Sequence, residues 1–255
     1  MLIRLSVRFF LVPLVAALIA LLGSDRQATA SAVFSDGHGD IGVAYDDIGK
    51  TFDLHVHVHA GSVVDGSPLV SDAEYAPDEI VILVTTETAR PVGAQFDFTG
   101  TGAGQPLWRL FQTLVPGTPF LGLASEELDS ADWVGGELTW EVTSIVSGPA
   151  GGEFSLWQNE IGGPVVLASS FDGLPGSFNL LAGGHAHANY GFTALGIYEI
   201  ELTVTGEHIV DGVISSSAIY TFNVVAVPEP GSLTLAGIAL GGIVFVASRR
   251  RTRGH

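Results

Sequence analysis

The sequence contains no cysteine in its 255 residues. Disulfide bonds therefore contribute nothing to its stability, and thiolate nucleophiles and thiolate metal ligands are excluded. A folded domain of this chain has to depend on a hydrophobic core, which a segment of roughly 190 residues is long enough to bury. Any transition-metal site has to use histidine, aspartate and glutamate side chains.

Basic residues are also scarce once the two termini are set aside. Between residues 33 and 248, Lys50, Arg90 and Arg109 are the only bases against 26 acidic residues, a net charge of −23. A surface this acidic repels nucleic acid and anionic lipid headgroups, whereas it attracts cations or keeps an exported protein soluble. Nucleic-acid binding is therefore excluded as a function.

Residues 1–32 have the composition of a secretory signal peptide. Arg4 and Arg8 precede an apolar stretch over residues 9–22, and small residues follow at Ala28, Ala30 and Ala32. A basic segment, a short apolar segment and a small-x-small site are typical of a leader that signal peptidase removes. The alternative is an uncleaved anchor, but the apolar stretch is shorter than the roughly 17–25 residues that span a bilayer.

Residues 227–255 form a second terminal unit. The prolines of Val227-Pro228-Glu229-Pro230 interrupt the preceding strand pattern, residues 233–247 are apolar, and residues 249–253 contain four arginines. As a transmembrane helix the apolar segment would be roughly 22 Å long, which is short for a bilayer, and its arginines would stay cytoplasmic. This order resembles the PEP-CTERM sorting signal of exosortase systems. The resemblance implies a transient passage through the inner membrane, removal of the tail by an exosortase, and delivery to the cell surface or extracellular matrix, whereas the alternative is a permanent single-pass anchor.

Residues 33–226 are predicted to form one all-β domain. Short runs of β-branched and aromatic residues recur between clusters of Gly, Pro, Asp and Ser, and residues 94–98 are one such predicted strand. Residues 137–143 and 197–205 alternate polar and apolar side chains, as half-buried strands do. Many short strands favour an antiparallel β-sandwich of immunoglobulin-like or jelly-roll type. Apart from a predicted strand at residues 108–112, residues 100–132 fit this pattern poorly, and we expect irregular loops there.

Histidines are concentrated at a few positions of this domain. Because side chains alternate across a strand, residues 52–59 should direct their apolar side chains into the core and their histidines to the opposite face. A second His-x-His pair lies at residues 185–187. Histidines two residues apart in an extended strand can reach one ion about 2 Å from each nitrogen. The candidate metal ligands are His38, Asp40, His55, His57, His59, His185 and His187.

The favoured hypothesis is one shared divalent transition-metal site, with Zn²⁺ as the leading candidate. His55, His57, His185 and His187 would bind the ion, and His38 or Asp40 would complete the shell. One alternative is a structural or adhesive matrix protein whose histidines are only a solvated polar face. Another is a metal-dependent hydrolase, but the sequence has no nucleophile elbow, no His-Glu-x-x-His helix and no phosphate loop, so we expect a non-enzymatic protein.

Two further sets of residues receive structural interpretations. The adjacent carboxylates Glu126 and Glu127 would face opposite sides if they lay in a strand, which argues against a joint role. The four tryptophans are scattered along the chain, which favours core packing over a sugar-binding platform. They are Trp108, Trp133, Trp140 and Trp157.

Three blocks of the domain resemble the bacterial surface-anchored domain called choice-of-anchor M. They are DGHGDIGV at residues 36–43 with LHVH at 54–57, EYAPDE at 74–79, and GHAHANYGFT at 184–193 running into GIY at 196–198. The resemblance implies surface display and no catalytic role, and it suggests a metal-transporter component as partner. A matrix polysaccharide is a second candidate partner for a protein displayed in the matrix. Tyr190 stands where the family usually has tryptophan, which is a departure from the pattern.

Overall fold

The computed structural model describes residues 31–227. Strands contain 58% of these residues and helical turns contain 6%, so the prediction of a mostly β domain is confirmed. Within residues 31–227, no helix has both the length and the hydropathy of a membrane span. The predicted leader, apart from its last two residues, and the predicted membrane segment 233–247 lie outside the described residues.

The described chain forms strands joined mostly by tight turns, together with short 3-10 helices at Ala94–Thr99, Ser130–Asp132 and Val134–Gly136. The strands are β1 (Ala32–Asp46), β2 (Thr51–Val58), β3 (Val63–Val64), β4 (Ser67–Pro68), β5 (Ala73–Tyr75), β6 (Ile80–Val84), β7 (Glu87–Ala89), β8 (Pro106–Leu110), β9 (Pro119–Ala124), β10 (Glu137–Ser147), β11 (Phe154–Glu160), β12 (Gly163–Ser169), β13 (Gly176–Leu181), β14 (His185–His187), β15 (Asn189–Phe192), β16 (Gly196–His208) and β17 (Gly212–Val224).

These strands form a larger sheet of 12 strands and a smaller sheet of five. The smaller sheet has the order β12-β11-β15-β8-β7 and is antiparallel throughout. The larger sheet has the main order β13-β10-β16-β17-β6-β1-β2-β5, and β9 and β14 extend it from the other side of β1. Parallel pairing of β1 with β6 and β9, and of β17 with β6, makes it mixed. The prediction of purely antiparallel sheets is therefore wrong for the larger one, because these pairs join strands brought together by long connections.

Strand β1 has different neighbours along its two halves. Its first residues pair with β3 and β6, and the part from Gly37 onward pairs with β9 and then β2. The register shifts between Phe34 and Asp36, and Gly37 has a φ of 92°, which glycine adopts without the steric cost that other residues pay. This irregularity separates the C-terminal half of β1, which becomes the centre of a five-strand region in the order β5-β2-β1-β9-β14.

One hydrophobic core receives side chains from both sheets. Trp140 and Phe222 of the larger sheet and Phe154 and Phe192 of the smaller one are all buried in it. The rings of Phe192 and Phe222 are 5.3 Å apart, within the range of favourable aromatic pairs. The predicted core role of the four tryptophans is confirmed, since each is at most 8% exposed.

Two local predictions are wrong. Residues 94–98 belong to the 3-10 helix Ala94–Thr99, which ends at Gly100 in the left-handed conformation that favours glycine. The segment 100–132 contains β8, which overlaps the strand predicted at residues 108–112, but it also contains β9, where loops are expected. Nearly all of β9 is buried, so it lacks the alternation that marks a strand with one wet face.

Candidate metal centre

The region β5-β2-β1-β9-β14 carries the histidines on one face. Across these strands His57 lies opposite both Glu74 and Asp40, and Gly122 lies opposite both Asp40 and His187. Residues directly opposite each other in neighbouring strands have Cα atoms roughly 4.5–5.5 Å apart. Strand pairing alone therefore gathers histidines and carboxylates that are distant in sequence.

The predicted alternation of β2 is confirmed. Phe52, Leu54, Val56 and Val58 are buried in the core, and His57 lies on the opposite face. His55 shares that face and is nevertheless buried, because the chain after β9 covers it and brings Glu127 Oε1 to 3.1 Å from His55 Nε2. The polar face of the sheet is thus partly enclosed.

Four residues form what we call the first histidine group: His38, Asp40, His185 and His187. Their candidate ligand atoms all lie within 4.8 Å of one another. Asp40 Oδ1 is 3.4 Å from His38 Nε2 and 2.8 Å from His185 Nε2. Four ligands at about 2.0–2.1 Å around a tetrahedral Zn²⁺ are themselves about 3.4 Å apart. The spacing of this group is close to that of a tetrahedral shell.

Each member of the first histidine group also presents a buried polar atom without a partner. Within residues 31–227, His38 Nε2, Asp40 Oδ1, His185 Nε2 and His187 Nδ1 have no hydrogen-bond partner. The contact between Asp40 and His185 is short but lacks hydrogen-bond geometry. Buried polar atoms in folded proteins are nearly always paired, so four unpaired atoms in one cluster need an explanation. A cation bound between them would satisfy all four, and the residues present therefore fit a metal ion.

Neighbouring groups fix the orientation of these side chains. His59 Nε2 donates to Asp40 Oδ2 at 3.0 Å, which leaves Oδ1 facing the group. Glu126 Oε1 lies 3.4 Å from His185 Nδ1, the ring nitrogen opposite the one that faces Asp40. The ring of His187 stacks on Phe120 with centroids 3.7 Å apart. Metal-binding histidines and carboxylates typically have such supporting partners.

The protonation states of Asp40 and His187 match those of metal ligands. Burial alone would raise the pKa of Asp40, but attraction by His38, His59 and His185 outweighs it and lowers the pKa to about 2. Burial, together with repulsion by His185 and His38, lowers the pKa of His187 to about 4. At neutral pH the carboxylate is ionised and His187 is neutral, which are the forms that bind metals.

Gly122 provides the space below the first histidine group. A Cβ atom at this position would overlap Asp40 Oδ1 and His185 Nε2. Gly122 is not among the residues with positive φ, so its backbone conformation is open to any residue. Glycine is needed here because of the room that it leaves between the side chains above it.

The structure also contains a second histidine group, which comprises His55, His57, Glu74 and Glu127. It lines an open cavity of about 220 Å³ together with Asp40, His59 and Glu126. A third, outer group consists of His57, His59 and Asp72. All three groups lie on the same face of the sheet.

The expected joint site of His55, His57, His185 and His187 is not found among these groups. Strands β1 and β9 lie between β2 and β14, so the two His-x-His pairs belong to different groups. His38 and Asp40 lie with the second pair, and His59 supports Asp40. The seven predicted residues do share one face, as the strand pattern indicates.

Sequence reasoning missed the carboxylates Asp72, Glu74, Glu126 and Glu127. Glu126 and Glu127 lie in a turn directly after β9, so the argument that neighbours in a strand face opposite sides does not apply to them. Recognition of β9 as a strand ending at residue 124 would have placed both carboxylates at the edge of the histidine face. Glu74 could have been found only from the pairing of β5 with β2.

Comparison with known proteins identifies one feature of the chain. Residues 226–251 match the PEP-CTERM protein-sorting motif. The C-terminus is a PEP-CTERM sorting signal. The signal indicates an exported, surface-directed protein that an exosortase sorts, as the order of prolines, apolar segment and arginines predicts. Neither the curated proteins nor the solved structures contain a significant match to this chain.

Proposed function

We propose that this protein is displayed on the cell surface or in the extracellular matrix, and that it binds a divalent transition-metal ion without catalysing a reaction. The ion lies in the first histidine group, bound by His38, Asp40, His185 and His187. The observation that supports this proposal is the set of four buried, unpaired ligand atoms in one cluster. The PEP-CTERM signal supports the destination.

The donor set indicates the type of ion. Three imidazole nitrogens and one carboxylate oxygen suit Zn²⁺ and similar divalent transition metals, whereas Ca²⁺ and Mg²⁺ prefer shells made of oxygen. Four protein ligands complete a tetrahedral shell, and the stacked ring of Phe120 borders it. Structural zinc sites are closed in this way, while catalytic sites keep a position open for water or substrate. The first histidine group therefore favours binding over catalysis.

The effect of the ion on the domain follows from the strands that supply its ligands. His38 and Asp40 come from β1, and His185 and His187 come from β14 on the far side of β9. A ligand that binds only the folded state stabilises that state by mass action. An ion in the first histidine group would link β1 to β14 across β9 in a chain that contains no cysteine. The resemblance to choice-of-anchor M domains, and a metal-transporter component or matrix polysaccharide as partner, are compatible with this function and stay predictions.

The test is Zn²⁺ titration of the untagged full chain by calorimetry, with His187→Ala as the variant. Loss of one of four ligands should weaken the affinity of the first histidine group at least tenfold, about 1.4 kcal/mol. It should also reduce the rise in melting temperature that Zn²⁺ produces.

His208→Ala is the matched control, because His208 pairs with Asp211 at 3.0 Å in the β16–β17 hairpin and belongs to none of the three groups. This variant should bind Zn²⁺ as the unmodified protein does. Equal Zn²⁺ affinity and equal stabilisation in unmodified protein and folded His187→Ala would refute the proposed site.

A further inference from the structure

The second histidine group has the features of a separate metal site. Its four candidate ligand atoms lie within 4.8 Å of one another. His55 Nε2 is 3.1 Å from Glu127 Oε1, and His57 Nδ1 is 3.7 Å from Glu74 Oε1. Two imidazoles and two carboxylates form a mixed shell that carries two negative charges when both carboxylates are ionised, which balances the charge of a divalent cation.

His55 provides the decisive observation for this group. Its side chain is only 7% exposed, and its Nε2 atom has no hydrogen-bond partner within the described residues, because the 3.1 Å contact with Glu127 lacks hydrogen-bond geometry. His57 Nε2 also has no hydrogen-bond partner within the described residues and lies 3.6 Å from Asp72 Oδ2, while its Nδ1 faces Glu74. A buried polar nitrogen that is left unpaired destabilises the folded state. Both imidazoles line the cavity of about 220 Å³, so the cost is removed if the cavity holds a ligand that accepts their lone pairs.

The outer group does not compete for this role. His59 already donates to Asp40 Oδ2, and Asp72 accepts a hydrogen bond of 2.8 Å from the Ala60 backbone N–H. Two of its three members therefore have partners, whereas the imidazoles of the second histidine group have unpaired nitrogens. His57 belongs to both groups, and one ring nitrogen can bind only one ion. All four residues of the second histidine group line the cavity, whereas Asp72 of the outer group does not, so we assign His57 to the second histidine group.

We infer that His55, His57, Glu74 and Glu127 bind a second divalent transition-metal ion, separate from the ion in the first histidine group. The two sites differ in access to solvent. Asp40, the carboxylate of the first histidine group, is 2% exposed, whereas the carboxylates of the second group, Glu74 and Glu127, are 60% and 46% exposed. Exposed carboxylates exchange readily with water, so the second ion is the more weakly bound of the two. The inference adds a second ion to the proposed function but does not require the first site to exist.

A glycine again leaves room for the ion. A Cβ atom at Gly42 would overlap His55 Nε2, and Gly42 is not among the residues with positive φ. Gly42 lies opposite His55 on the neighbouring strand, in the same relation that Gly122 has to Asp40. Each of the two histidine groups thus has a small residue beside its unpaired atoms.

The experiment measures how many Zn²⁺ ions the full chain binds, by calorimetry and by metal analysis after equilibration with Zn²⁺. The unmodified protein should bind two ions, and a chelator should remove one of them faster than the other. His55→Ala and Glu127→Gln should each lose the faster ion or weaken it at least tenfold, and His187→Ala should lose the slower one. Glu127 is a surface residue in a turn, so Glu127→Gln keeps the test valid if His55→Ala fails to fold.

The outcomes separate this inference from the proposed function. One ion in the unmodified protein, kept in both His55→Ala and Glu127→Gln, would overturn the second site and leave the first intact. One ion that is lost in Glu127→Gln and kept in His187→Ala would overturn the proposed function and leave the second histidine group as the metal site. No ion in any form would overturn both.

Discussion

Gly122→Ala tests the first histidine group without removing any of its ligands. The substitution adds one methyl group in the middle of β9, which is paired on both sides and cannot easily move. The new Cβ would overlap Asp40 Oδ1 and His185 Nε2, so one or both atoms must shift by on the order of 1 Å to reach ordinary contact distances. Metal–ligand distances tolerate deviations of only about 0.2 Å.

This displacement sets the expected magnitude. Two of four ligands cannot keep their positions, so Zn²⁺ affinity of the first histidine group should fall at least 100-fold, about 2.8 kcal/mol. The metal-free protein should lose about 1–3 kcal/mol of unfolding free energy, the usual cost of extra volume in a packed region. Calorimetry with Zn²⁺ measures the first quantity, and denaturant unfolding in the presence of a chelator measures the second.

Gly162→Ala is the matched control for this prediction. Gly162 has no heavy atom within 4 Å of the added Cβ and no positive φ. It should keep both the affinity and the stability of the unmodified protein. A folded Gly122→Ala variant that binds Zn²⁺ within threefold of the unmodified protein at both sites would show that no ion lies between Asp40 and His185, and the reasoning would fail.

Two more predictions concern pH and processing. The pKa values of Asp40 and His187, about 2 and about 4, lie below their ordinary values of 3.8 and 6.5, so the unfolded chain binds protons more readily. The melting temperature of the metal-free protein should therefore fall as the pH drops from 6.5 to 4, because His187 becomes protonated more readily in the unfolded chain. It should fall further toward pH 2, because Asp40 does the same. An unchanged melting temperature between pH 7 and 4 would contradict this prediction. Intact mass spectrometry of the mature protein from the cell surface should lack the leader and residues 249–253, and persistence of these arginines would indicate a permanent anchor.

Features that depend only on residues close together in the sequence could be predicted. Alternation in β2 correctly indicates that Val56 faces the core and His57 faces away from it, because neighbouring side chains in a strand take opposite sides. The sorting signal was recognisable for a similar reason, since its prolines, apolar segment and arginines follow one another directly. Neither inference depends on knowing which strands are neighbours.

The grouping of the ligands could not be predicted, because it depends on long-range pairing. Asp40 and His187 are brought together by β9, which is parallel to β1 and antiparallel to β14. No local signal marks a parallel pair between distant segments, and the burial of β9 on both faces hides its strand character. Unless β9 is recognised as a strand, nothing in the sequence separates the two His-x-His pairs. The position of the turn that contains Glu127 relative to the histidines cannot be predicted either.

Strand β14 protects an edge of the larger sheet from pairing with other molecules. It is three residues long, and in the described part of the chain it pairs only with β9, whose edge it covers. So short an edge strand opens easily, and an uncovered edge of apolar residues such as Leu121 and Leu123 invites pairing with strands of other molecules. The ion proposed between β1 and β14 would hold β14 in place and so keep the edge of β9 covered.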